Sequence, residues 1–263
     1  MTSPRALILR APGINCERET FDAFARAGAK PEFLHVKRLR REPERLDDFD
    51  LFVAPGGFAY GDDIAAGRVL AHELKVSIGD RLLAFVDRGG LALGICNGFQ
   101  MLVRLGLLPR TRGGALEQEV ALTHNLSDHY ECRWVRLKAP ANRCAFVDEG
   151  LEFRAPAAHG EGRLVARDPE LARLLESEGY VAFHYVDDAG RPTEAYPANP
   201  NGSPGGVAGL TDRTGRVLGL MPHPDRAYLA IHDPLWREHG LAKTPEGMHL
   251  FDAMVRSARG ARV

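Results

Sequence analysis

Apolar and polar positions fall into alternating blocks through the first hundred residues. Arg5–Leu9 is a short apolar run that reads as a buried strand, and the loop Ala11–Cys16 after it carries Gly13. Glu17–Ala27 shows the spacing of an amphipathic helix stopped by Gly28. Glu32–His35 and Leu51–Ala54 read as the second and third strands, and Val69–Arg88 as a helix ended by Gly89-Gly90. Leu91–Cys96 is a fourth strand, followed directly by the helical pattern Asn97–Leu105. This strand–helix rhythm predicts an α/β fold, a mostly parallel sheet with helices on both faces. Later the pattern changes. Cys132–Leu137, Arg163–Val165, Val181–Val186 and Val207–Leu210 look like strands, densely punctuated by Gly and Pro, above all in Ala198–Gly206. They predict antiparallel strands added to one end of the same sheet. A last helix is expected over Gly247–Ser257, after Pro245. With no internal repeat and no low-complexity linker, residues 1–263 read as a single domain.

The richest chemistry lies where the fourth strand meets its helix. Gly94-Ile95-Cys96-Asn97-Gly98 is a G-x-C-x-G turn, the pattern of a nucleophile elbow with cysteine in place of serine. The two glycines let strand and helix approach closely. The turn lifts the Cys96 thiol above the sheet at a helix N-terminus, where the positive end of the dipole favours a thiolate.

Two more strand ends complete the set. Val217–Arg226 (VLGLMPHPDR) is an apolar run ending at His223, with Asp225 two residues on. A thiol nucleophile needs a base, and an imidazole base needs an acid to hold its tautomer and orientation. Pro222 and Pro224 fix the backbone on either side of the histidine. Phe49–Asp63 ends a strand in Pro55-Gly56-Gly57, where backbone N–H groups can face a developing oxyanion; the Asn97 N–H is the natural second donor. Parallel α/β sheets place their sites at the carboxyl ends of strands, which is where all three segments fall.

Bulk properties narrow the class. The chain has 263 residues, 44% of them hydrophobic, enough for a sizeable core. A formal net charge of −1 argues against nucleic acid or an anionic membrane as partner. No apolar run is long enough to span a bilayer, and the N-terminal one is short and interrupted by Arg10, so a cytoplasmic location is expected. The four cysteines lack paired spacing and read as reduced thiols.

GICNGFQ, PGGFAYGD and MPHPDRA together resemble the class I glutamine amidotransferases, and more narrowly the glutaminase subunits of phosphoribosylformylglycinamidine synthase. Gly13–Cys16, His159–Gly162 and Asn199–Ser203 add to the likeness, which runs from the first strand to the last helix. The resemblance implies a flavodoxin-like sheet. It implies that Cys96 attacks the side-chain amide of L-glutamine, that His223 shuttles the proton, and that Gly57 and Asn97 bind the oxyanion through backbone N–H groups. Asp225 stands where the family usually has glutamate, one methylene longer. Gln100, Phe58 and Tyr60 are the candidates for substrate binding, although Phe58 and Tyr60 could equally close the core behind their loop. The family's ammonia passes to a larger synthetase subunit, which uses ATP and Mg to amidate formylglycinamide ribonucleotide, and in many bacteria a small third subunit joins. No Walker-type phosphate loop occurs here, so no cofactor is expected in this chain.

Other residues have plainer readings. Cys16, in the loop near the predicted active edge, reads either as a contact near the site or as a loop thiol with no chemistry, and Cys132 and Cys144 read as core or strand residues. His124, His129 and Cys132 lack a fourth ligand and paired spacing, so no metal site is expected from them. His159 and Glu161 read as a polar loop before the strand at Arg163, or, by family likeness, as a loop near the synthetase interface. The basic run His35–Asp48 reads as a solvated connection, and Asp225 could instead cap a helix over Arg226–Ile231. Two other functions fit part of the pattern: a cysteine hydrolase resembling the DJ-1/PfpI group, and a non-catalytic regulatory subunit. The VLGLMPHPDR segment argues against the former, and the intact Cys96 and His223 against the latter.

Overall fold

A computed structural model describes residues 2–260. The elements of the first half are β1 (Arg5–Arg10), α1 (Glu17–Arg26), β2 (Lys30–His35), α2 (Val36–Arg41), β3 (Leu51–Ala54), α3 (Arg68–Asp87), β4 (Leu91–Ile95) and α4 (Asn97–Leu105). The second half contains β5 (Val120–His124), β6 (Glu131–Lys138), β7 (Glu152–His159), β8 (Glu161–Ala166), α5 (Pro169–Ser177), β9 (Val181–Tyr185), β10 (Val207–Thr211), β11 (Val217–Leu220), α6 (Trp236–His239) and α7 (Met248–Gly260).

Among the described residues one sheet has nine strands, in the order β2-β1-β3-β4-β11-β10-β9-β6-β7. The pairs from β2 to β11 are parallel and those from β11 to β7 antiparallel. The parallel strands are continuous apolar runs because both faces are covered; Ala6 to Leu9 and Leu51 to Val53 have no exposed surface. The order 2-1-3-4 also settles the layers. The chain steps outward from β1 to β2 through α1, and in the opposite direction from β3 to β4 through α3. Right-handed crossovers then put the two helices on opposite faces. α1 packs with α7, while α3 packs with α4, which lies on β3, β4 and β11.

The strand order reverses between β1 and β3, and the crevice beyond their carboxyl ends is the switch point where such sheets bind ligands. Here the loop after β1 meets the loop after β3: Ile14 bridges Gly57, and the Asn15 and Cys16 N–H groups donate to the Gly56 carbonyl.

Several elements differ from the sequence expectation. The basic run is no loose connection: Val36 and Leu39 are buried on α2, and residues 43–48 form a 3-10 turn. β7 runs through Pro156, a residue that disfavours a strand reading; it is tolerated because β7 is the sheet edge. His159 therefore closes a strand instead of lying in a polar loop, and is buried. β5 and β8 form a separate two-stranded sheet. α5 opens with Asp168 accepting from the Leu171 N–H and Pro169 at the first turn, an N-terminal signal present in the sequence. In place of a helix over Arg226–Ile231 there are two 3-10 turns, Pro224–Arg226 and Ala230–His232. Within the Gly- and Pro-rich segment Ala198–Gly206, Asn199, Asn201 and Ser203 are buried, and their side chains hydrogen-bond one another's backbone and the Gly162 carbonyl.

Candidate active site

Cys96 is the residue between β4 and α4 and sits at φ 52°, ψ −106°, a conformation that L-residues seldom adopt. Such backbone costs of order 1–3 kcal/mol and persists only where its surroundings impose it. They do so here. The Cys96 N–H donates to the Leu220 carbonyl on β11 at 2.8 Å, and its own carbonyl accepts from Gln100 N at 3.0 Å. A Cβ on Gly94 would lie 2.7 Å from the Gly98 backbone, and one on Gly98 would run into the Ala54 carbonyl. Only glycine at both places lets α4 start so close to β3 and β4. The Cys96 sulfur lies 3.7 Å from the Ala158 carbonyl on β7.

β11 runs parallel to β4, with Leu220 opposite Ile95, so the segment after it emerges beside the elbow. His223 N donates to the Pro156 carbonyl at 2.8 Å, anchoring the histidine to β7. Its Nδ1 is 3.1 Å from Asp225 Oδ1, and both side chains are buried. With Nδ1–H donated to the carboxylate, the Nε2 lone pair is the one free to take a proton. Burial by itself disfavours an imidazolium here. The negative charges of Cys96 and Asp225 outweigh it and push His223 well above the ordinary histidine range.

Gly57 stands at φ +141°, where a Cβ would crowd the Asn15 N–H at 2.7 Å, so glycine is the residue that fits. The Asn97 side chain locks this loop to α4. Its carbonyl oxygen accepts from Ala59 N at 3.0 Å, and its amide donates to Asp62 Oδ1 at 2.8 Å and to Gln100 Oε1 at 3.0 Å. Gln100 Nε2 in turn donates to the Glu161 carbonyl at 2.6 Å.

Around Cys96 lies a cavity of about 200 Å³. That is below the roughly 300–1,000 Å³ of drug-sized sites and suits one small molecule. Gly57, Phe58 and Gln100 line it. Tyr60 does not. Its hydroxyl donates to Glu73 on α3 at 2.5 Å, and burial together with that carboxylate pushes it up to about 12. A larger cavity of 710 Å³ beside α5 and β9 has an apolar lining without thiol or imidazole, so size does not single out the site.

Sequence reasoning missed part of the wall. His124, His159 and Glu161, on β5, β7 and β8, border the cavity together with Tyr130 from the segment just before β6. His159 Nδ1 lies 3.1 Å from the Asn125 side-chain oxygen, and its Nε2 is buried without a partner. Burial and the nearby His223 charge lower it to about 4, so it is a neutral ring at physiological pH. The sequence signal for this part of the wall is the H-x-E pair His159 and Glu161.

Cys16 is closer to the chemistry than a loop thiol. It is the residue before α1, fully buried, and its sulfur accepts from Arg226 Nη2 at 3.0 Å. Burial raises this thiol. Cys16, His223 and Asp225 place potential ligand atoms within 4.8 Å of one another. The arginine on the sulfur would repel a metal cation, and the trio is better understood as the packing behind the base. Cys144 is also buried, which pushes it up to about 12, whereas Cys132 lies on β6 with its side chain exposed, outside the core.

The arrangement suits acyl transfer to a thiol, and comparison with known proteins agrees. Residues 3–257 match the CobB/CobQ-like glutamine amidotransferase domain. The chain belongs to this glutamine amidotransferase family. Within it, the chain is 42% identical over 260 residues to phosphoribosylformylglycinamidine synthase subunit PurQ of Dehalococcoides mccartyi, covering 98% of this chain and 99% of that one. It is 41% identical over 234 residues to the subunit of the same name from Methanococcus maripaludis strain S2, covering 88% of this chain and 85% of that one. Among solved structures it superimposes on a chain of PurLQS from Thermotoga maritima with TM-score 0.73 at 31% identity, covering 97% of this chain and 99% of that one. The amidotransferase sheet explains why the elbow and the histidine segment lie side by side although 127 positions separate Cys96 from His223 (223 minus 96). Among the described residues no helix is long and apolar enough to cross a membrane.

Proposed function

We propose that this chain is the glutaminase subunit of a phosphoribosylformylglycinamidine synthase. It hydrolyses L-glutamine and supplies ammonia to a larger synthetase subunit, which converts formylglycinamide ribonucleotide to formylglycinamidine ribonucleotide in purine biosynthesis. The observation that carries the chemistry is the pairing of Cys96, at a strained elbow after β4, with the His223–Asp225 pair emerging from the adjacent β11. The whole-chain likeness to PurQ subunits supports the acceptor and the partner. In this reading ATP and Mg belong to the synthetase, a small third subunit completes the complex, and the protein works in the cytoplasm.

The steps follow from the geometry. His223 takes the Cys96 proton, and the sulfur attacks the side-chain amide carbon of glutamine. The oxyanion forms between the backbone N–H groups of Gly57 and Asn97. As the intermediate collapses, the C–N bond breaks and His223 returns its proton to the departing ammonia. A water molecule, deprotonated by the now neutral His223, attacks the γ-glutamyl thioester. Glutamate leaves, and the proton goes back to the thiolate. Asp225 keeps the imidazole oriented throughout.

Glutamate release by the purified chain, alone and with a cognate synthetase subunit, tests this. Activity should rise strongly with the partner and fall by about 10³-fold or more in Cys96→Ala. No glutamine hydrolysis even in the reconstituted complex would overturn the proposal.

A further inference from the structure

We propose that Thr20, on α1, is a positioning residue for the base: its hydroxyl holds the outer carboxylate oxygen of Asp225, so that the inner oxygen stays on His223. The inference rests on the acyl-transfer reading above and extends the constellation by one residue.

Thr20 Oγ1 lies 3.0 Å from Asp225 Oδ2 and 2.7 Å from the Cys16 carbonyl, and Thr20 is fully buried. A hydroxyl has one proton, and neither neighbour can donate, so the two oxygens compete for it. The Cys16 carbonyl already accepts the Thr20 backbone N–H at 3.2 Å, the ordinary helical bond, and loses little if the hydroxyl turns away. Among the described residues Asp225 Oδ2 has no other hydrogen-bond donor. A buried carboxylate oxygen with no donor is costly, and a charged acceptor outcompetes a carbonyl for the same proton. The Thr20 hydroxyl therefore points at Asp225.

The fold makes this contact deliberate. α1 packs against the 3-10 turn that carries Asp225, and Cys16 at its head abuts the same turn through Arg226. Asp225 is one methylene shorter than the glutamate usual in the family. A short acid has little slack, and the Thr20 bond removes the freedom that would let it rotate off the imidazole. The charged and titratable groups around Asp225 are His223 and Arg226 on its own turn, Cys16 from the head of α1, and His159 from β7 beyond the imidazole. The segment leading into α7 meets the turn at Gly247, whose N–H donates to the Ala227 carbonyl.

The test is Thr20→Val, nearly isosteric but without the hydroxyl, with Thr20→Ser as rescue, both assayed for glutamate release in the complex with a synthetase subunit. Thr20→Val should lower kcat roughly ten- to a hundredfold, the range for a hydrogen bond to a charged group, with KM for glutamine within about twofold. It should also move the alkaline limb of kcat/KM to lower pH, because a carboxylate free to turn off the ring supports the imidazolium of His223 less. Thr20→Ser should restore both quantities. A loosened α1 would reduce the active fraction without moving the limb. If the wild type is active and dies with Cys96→Ala, yet Thr20→Val keeps its kcat and its limb, or serine fails to restore them, the inference is overturned while the acyl-transfer reading stands. A wild-type complex that releases no glutamate overturns both.

Discussion

The parallel half of the sheet and its antiparallel extension divide the work of the site unequally. β3, β4 and β11 end at one edge and deliver Gly57, Cys96, His223 and Asp225, the groups to which the proposed chemistry assigns bond making, proton transfer and charge. The extension, with the β5–β8 pair, delivers the Ala158 carbonyl, His124, His159 and Glu161, which shape and close the cavity. A parallel sheet sums the ends of sequence-distant strands at one edge, so reacting groups gather there. Antiparallel hairpins can be hung on that edge as a wall, setting what enters.

The contrast is sharpest at the base. Asp225→Asn should lower kcat for glutamine hydrolysis about a hundredfold without abolishing it, because the acid orients the imidazole and does not itself react. It should also shift the alkaline limb of kcat/KM. His223 is held protonated well above the usual histidine value, with burial opposing and the charges of Cys96 and Asp225 prevailing. The limb marks loss of the imidazolium, so removing one of the two charges should bring it to lower pH. Full activity in this variant would take Asp225 out of the mechanism and leave the parallel edge with a dyad.

The same division governs what was legible in the chain. Strands buried on both faces betray themselves as unbroken apolar runs; the strand Leu51–Ala54 and the helix Asn97–Leu105 that follows the elbow are found with the bounds the sequence suggests. The elbow was readable because its glycines answer a local need. The extension was harder. β7 contains a proline that only its edge position excuses, and β5 is a five-residue strand whose partner comes from far along the chain. α2 hid in a run of charge, with only Val36 and Leu39 facing inward. Cys16 was half legible: its place near the active edge shows in the chain, but its partner does not, since a contact to Arg226 across 210 positions leaves no periodicity to read.

A test of the wall is His159→Gln. In the folded chain His159 is lowered from 6.5 to about 4, chiefly by burial and then by the His223 charge. A histidine depressed on folding contributes stability that is present above its unfolded value and lost as pH falls from there toward the folded one. Between pH 6.5 and about 4 the wild type should therefore lose about 3 kcal/mol through this one group. His159→Gln should flatten that part of the curve, measured by urea unfolding across pH. The comparison between halves is broken if the two chains lose stability in parallel, since the wall would then carry no buried neutral ring.

The smallest expected effect separates two neighbours on the β3 loop. Phe58 lines the cavity, half exposed at its mouth, whereas the Tyr60 hydroxyl is spent on Glu73. Tyr60→Phe should leave KM and kcat for glutamine unchanged, because the ring still closes the core behind the loop and only the bond to α3 is lost. Its cost should be about 1 kcal/mol in stability, the net worth of one partly buried hydrogen bond. Phe58→Ala should do the reverse, raising KM with little change in unfolding. A rise in KM for Tyr60→Phe would mean that the hydroxyl leaves Glu73 for the substrate, and that the loop after β3 rearranges when glutamine binds.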